Sequence, residues 1–227
     1  MSCSTSWRWS VARLYVLVDR DSCFPFLGLV LLCGVALALS IPGAHVVQDL
    51  ESVQHISHAL GLDMTRIFLD AYVLCLGLLG LILGSASAER GERGPRMILW
   101  LALRVLLGQL LCLPYLVFSR ALFPGRDGGL ALVVLFATLT SLAFAVLNWL
   151  IEKMRQFPTR PLFGFAAFLA LSFVPLGRIP LLSPIAAAQL LLNRPAPLQG
   201  LAAFAVPVAL LVALSLLVVR TRGGARG

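Results

Sequence analysis

A chain of 227 residues with mean hydropathy +0.94, 59% hydrophobic and only 12% charged residues cannot build a water-facing shell, because soluble domains carry about 25% charge. Its net charge of +8 is divided among short segments between apolar runs, which argues against a nucleic-acid-binding surface. The composition predicts an all-α, polytopic membrane protein. A spanning helix needs about 20 mostly apolar residues to cross a hydrocarbon layer about 30 Å thick, and continuous apolar runs without period-two alternation favour helices over a barrel.

Six transmembrane helices are expected in a single domain, residues 1–227. Residues 1–21 place Trp7, Val11, Leu14, Tyr15 and Val18 at helical spacing, with Arg8, Arg13 and Arg20 turned elsewhere. That is the pattern of a cytoplasmic amphipathic helix lying in the interface, and equally of a basic leader before a first span. The first span, 22–45, is free of charge and longer than the apolar core of a signal peptide, about 7 to 15 residues; it reads as a retained helix. An outer amphipathic segment follows at 46–63, carrying Val46, Leu50, Val53 and Leu60 near one face. His55 and His58 lie three apart on it, but a metal site needs three or four ligands, so they read as a solvated face and no metal is expected.

The second span, 64–88, opens with Arg66 and Asp70 at the i, i+4 spacing of a local ion pair or of a polar site within the membrane. Further along, Gly77, Gly80, Gly84 and Ala88 form a strip of small residues, which suits either a dimer interface or internal packing. The third span, 97–119, holds Arg104 about 12 Å past Arg96 by helical rise. Its guanidinium is expected to snorkel inward or to bond to a neighbouring helix, with Gln109 and Asn148 as candidate polar companions. Spans four and five are placed at 128–151 and 161–177. The next segment, 178–194, is broken by Pro180 and by Ser183-Pro184 and is too short to cross, so it reads as an outer re-entrant hairpin. The sixth span is 195–219.

Basic residues near span ends stay in the cytoplasm. With both termini inside, Arg8, Arg13, Arg20, Arg90, Arg93, Arg96, Lys153, Arg155, Arg160, Arg220, Arg222 and Arg226 are inner, against only Arg120, Arg126, Arg178 and Arg194 outside. Cys33, Cys75 and Cys112 fall inside spans, where a thiol acts as a small hydrophobe, and no Cys-x-x-Cys pair occurs. No nucleophile elbow, zinc-protease motif or phosphate-binding loop is present, and Lys153 is the only lysine. No catalytic residue or cofactor is therefore expected, and any ATP would be bound by a separate subunit.

The layout resembles the permease subunits of type-two ABC exporters, which include drug, polysaccharide and sodium exporters. Those proteins combine an inner elbow helix, six spans with both ends inside, a cytoplasmic loop after span two that docks the ATPase, and outer re-entrant helices between spans five and six. Ala88-Glu89-Arg90-Gly91-Glu92-Arg93-Gly94 is similar to the family's charged signature after span two, with Pro95 where a threonine is usual. Ile179-Pro180-Leu181-Leu182-Ser183-Pro184 is similar to the family's proline-rich stretch before the last span. The resemblance implies that Glu89, Arg90, Glu92 and Arg93 contact an ATP-binding subunit. It also implies that the chain pairs with a second permease subunit in a bacterial-type inner membrane. A non-transporting membrane anchor or scaffold subunit is the alternative.

Overall fold

The computed structural model describes residues 20–45, 67–91, 95–120, 127–153, 160–173, 183–192 and 197–223. Seven helices make up this part of the chain: α1 (Arg20–His45), α2 (Ile67–Glu89), α3 (Pro95–Ser119), α4 (Asp127–Lys153), α5 (Arg160–Phe173), α6 (Pro184–Leu192) and α7 (Pro197–Gly223). No strand occurs among the described residues. Segments 1–19, 46–66, 92–94, 121–126, 154–159, 174–182, 193–196 and 224–227 lie outside them. With these segments go the expected elbow helix, the outer amphipathic segment, Arg66, Glu92, Arg93 and Pro180.

Four helices are each long and apolar enough to cross a bilayer: Ile67–Glu89, Arg96–Ser119, Gly128–Lys153 and Leu201–Val218. The 26-residue α1 carries a shorter apolar stretch at Pro25–Ala38, and α5 has 14 residues. The surface of the bundle is apolar. Leu106, Leu110, Leu113, Val117 and Phe118 of α3 and Leu201, Val212 and Leu216 of α7 are all more than half exposed. In water so large an exposed apolar area would drive association; lipid tails satisfy it.

Helices α2 and α4 form the centre, and close backbone approach holds them there. A Cβ on Gly80 would overlap the Ser141 carbonyl oxygen, and one on Gly84 would overlap that of Ala145. Only glycine lets two helices come this near, and between lipid-embedded helices such packing replaces the hydrophobic drive available in water. Numbers rise together on both helices, so α2 and α4 run in the same direction. The opposite direction belongs to α3, whose Gln109 meets Tyr72 and whose Arg104 meets Ser87. It belongs also to α5, where Gly164 lies at Asn148 and Phe168 stacks edge-on against Phe144. Helix α1 follows α3, with Gly108 close to Leu29 and Gly34 close to Tyr115. Successive helices therefore alternate in direction from α1 to α5.

Helix α6 is nine residues long, about 13 Å by helical rise, and cannot cross. It sits at the end of the bundle where α2 and α4 begin, with Gln189 on Asp70 and the Leu192 carbonyl 2.7 Å from where a Cβ on Gly129 would lie. Its start is written in two residues. Ser183 caps it, its Oγ accepting the Ala186 N–H at 3.4 Å, and Pro184 occupies the first helical position, where a missing N–H has no helical partner to lose.

Candidate functional site: a polar seam along α2

A line of polar contacts follows α2 from Asp70 to Ala88, about 27 Å by helical rise and thus close to the thickness of a hydrocarbon layer. At the Asp70 end, Gln189 Nε2 donates to Asp70 Oδ1 and Oδ2 at 3.0 and 3.1 Å. Two residues further, the Tyr72 hydroxyl donates to Gln109 Oε1, while Gln109 Nε2 donates to Thr138 Oγ1 at 2.7 Å and to the Val134 carbonyl at 3.3 Å. Three helices are joined through the one amide. At mid-span Ser141 Oγ donates to the Leu76 carbonyl at 2.7 Å. Then Asn148 Nδ2 donates to the Leu81 carbonyl at 2.8 Å and to Ser85 Oγ at 2.7 Å, and Ser85 Oγ donates to Glu152 Oε1 at 3.4 Å.

The last turn of α2 is clamped by two cations. Arg104 is fully buried, and its Nη1 donates to Ser87 Oγ at 2.9 Å. Lys153 Nζ donates to the Ala88 carbonyl at 3.3 Å and lies 5.8 Å from the centre of the Trp149 ring. Positive charge is favoured here because the free carbonyls of a helix C-terminus carry the negative end of its dipole. Gly91 then ends the helix with φ +69°, a left-handed conformation that glycine adopts without steric cost. Its N–H reaches the Ala88 carbonyl, and that of Arg90 reaches Ala86. Glu89 projects outward, exposed, from this fixed end.

The residues singled out from sequence distribute as follows. Asp70 receives Gln189 from α6, a partner 119 residues away. Arg104 turns to Ser87, whereas the hydrogen bonds of Gln109 and Asn148, expected as its companions, go to the groups named above. The reason is register: Gln109 lies more than one turn beyond Arg104 on the same helix, and Asn148 projects onto the Leu81–Ser85 stretch. Within the glycine strip, Gly80 and Gly84 face α4, and a Cβ on Gly77 would overlap the Phe168 ring of α5. This strip thus packs inside the chain. Of the re-entrant residues, Ser183 is buried and donates to the Ser172 carbonyl at 3.1 Å, tying α6 to the end of α5.

Sequence reading missed Thr138, Ser141, Ser85 and Ser87. The signal was available: positions 138, 141, 145, 148 and 152 repeat on α4 at the same three-four spacing as 77, 80, 84 and 87 on α2. It also missed a close approach of two thiols, since Cys33 Sγ of α1 lies 3.7 Å from Cys112 Sγ of α3. Cys33, Cys75 and Cys112 are free thiols, and among the described residues no group of three or more His, Cys, Asp or Glu has a geometry suited to a metal.

Comparison with protein families, with curated proteins and with solved structures returns no match for this chain.

Proposed function

We propose that the chain is the permease subunit of an ATP-driven transporter of the type-two ABC exporter kind. In this reading it has six spans with both termini in the cytoplasm of a bacterial-type inner membrane, and α6 is part of an outer re-entrant hairpin. It works as a dimer, homomeric or with a relative, and ATP is bound and hydrolysed by separate subunits docked beneath it. The observation that carries this reading is the clamp on the last turn of α2. Glu89 and Arg90 begin the α2–α3 connection, and the turn that bears them is bonded to α3 through Arg104 and to α4 through Lys153. A push delivered to that connection by an ATPase is passed to three helices together, which is what coupling requires. The alternation of helix direction and the placing of α6 at the opposite end support the same arrangement.

A non-transporting membrane anchor is the second reading, and the close packing of α2 on α4 favours it, because Gly80 and Gly84 leave no path between these helices. Isolation in mild detergent separates the two. The permease reading expects an ATP-binding subunit to accompany the chain, and its ATP turnover to fall when Glu89 and Glu92 are changed to Lys. Absence of such a subunit, or turnover indifferent to the double charge reversal, leaves the anchor.

A further inference from the structure

The mechanism proposed above uses one end of the bundle and its centre; a different feature lies on the outer surface. Between the last turns of α3 and the first turns of α4 is an open groove of about 460 Å³, within the range of small-molecule sites, about 300 to 1,000 Å³. Its walls are Leu113, Leu116 and Val117 of α3 and Ala131 and Val134 of α4, and Arg120 stands at the end where α3 stops. Leu113 and Val117 are more than half exposed, so the groove opens toward the apolar surroundings.

We propose that this groove holds an acyl chain of an anionic phospholipid whose phosphate is bound by Arg120. The groove and the arginine complement such a lipid in two ways. Apolar walls facing lipid accept a hydrocarbon chain and reject anything that carries unsatisfied polar groups. An exposed guanidinium one turn above them, at the depth where a spanning helix ends, meets the headgroup layer; its planar fork matches two phosphate oxygens at once. Either part alone is ordinary in a membrane protein. Their vertical alignment, cation above apolar groove, suits one lipid molecule. The inference does not depend on the transporter reading.

The test uses the full chain reconstituted in vesicles of equal parts phosphatidylglycerol and phosphatidylcholine, then extracted in mild detergent, with the retained lipid measured by mass spectrometry. Phosphatidylglycerol is expected to exceed phosphatidylcholine by about fivefold, equivalent to ~1 kcal/mol for one basic residue near anionic lipid. Arg120→Gln should bring the ratio to about one, and Arg120→Lys should keep part of the preference. Ala131→Phe, which fills the groove from an exposed position, should lower retention of both lipids while the protein stays monodisperse. Equal retention by the unaltered chain, or a preference untouched by Arg120→Gln, would overturn the proposal. So would a preference abolished by inorganic phosphate yet unaffected by Ala131→Phe, which assigns Arg120 to a free anion. A change of oligomeric state in Ala131→Phe without loss of lipid assigns the groove to a second copy and overturns it equally.

Discussion

Gly80 of α2 is pressed against the backbone of Ser141 in α4, whose hydroxyl reaches past it to the Leu76 carbonyl. Any side chain at position 80 has to push the two central helices apart, and the Ser141 bond is lost with them. Gly80→Ile should therefore destabilise the protein by about 2 kcal/mol or more, the upper part of the range for overpacking. Gly28→Ala meets nothing within 4 Å and should be neutral or stabilising by up to about 1 kcal/mol, the helix-propensity gain of alanine over glycine. Thermal unfolding in detergent of the two variants side by side makes the comparison, and equal midpoints would contradict the packing described.

Gln109 of α3 is bonded to both α2 and α4, through Tyr72, Thr138 and the Val134 carbonyl. Interhelical hydrogen bonds in membranes average about 0.6 kcal/mol, with maxima near 1.7. Gln109→Leu, which removes all of these, should cost about 1 to 2 kcal/mol, whereas Tyr72→Phe and Thr138→Val should each cost less. The Gln109→Leu, Tyr72→Phe double variant should be no worse than Gln109→Leu alone by more than a few tenths. Strict additivity in equilibrium unfolding would mean that these groups do not share a network.

A buried guanidinium bonded to a serine hydroxyl is costly to disturb from one side. Ser87→Ala removes one acceptor from the Arg104 guanidinium, with an expected cost of about 1.5 to 3 kcal/mol for a bond to a charged group. Arg104→Met removes the charge together with its need for that partner, and should cost less than Ser87→Ala despite the larger change in chemistry. A double-mutant cycle read by unfolding checks the order of the two effects; the reverse order would place the Arg104 charge elsewhere than on α2.

The bond between Gln189 and Asp70 fastens the short helix α6 to the start of α2. Losing it should let α6 lift from the bundle more often, by about tenfold if one bond to a carboxylate is worth ~1.5 kcal/mol. A cysteine placed at Ala187, which is 1% exposed, reports this. In a Gln189→Leu background its labelling by a water-soluble maleimide should accelerate by that factor, and an unchanged rate would show that other contacts hold α6.

What could be read from the sequence followed one-dimensional signals. The apolar runs read at 64–88, 97–119 and 128–151 lie along α2, α3 and α4, each followed directly by a charged residue, Glu89, Arg120 or Glu152. The small strip on α2 was visible for the same reason, as was the break before Pro184. Its partner was not. A strip of small residues specifies closeness but not which helix comes close, and Ser141 and Asn148 declare themselves as the other half only once α2 and α4 are known to be neighbours. The pairing of Asp70 with Gln189 is further out of reach, since 119 residues separate them and an i, i+4 neighbour at Arg66 offered a nearer explanation. Arg104 was recognised as a group in need of an acceptor, but the serine that meets it sits in a small-residue stretch whose hydroxyls look like mere space-savers.

The thiols of Cys33 and Cys112 make the packing of α1 on α3 directly measurable. Their sulfurs are 3.7 Å apart, and closing to a disulfide distance of about 2.05 Å asks for less than 2 Å of combined movement, which two rotamer adjustments can supply. A membrane-permeant oxidant such as a diazenecarboxamide takes up the two electrons and two protons that the thiols release, so the bond forms without any other partner. Peptide mapping after oxidation should find residues 33 and 112 linked. Cys112→Ser should abolish this link. If α1 packed elsewhere in the membrane, the link would not form at a protein concentration low enough to prevent contacts between copies.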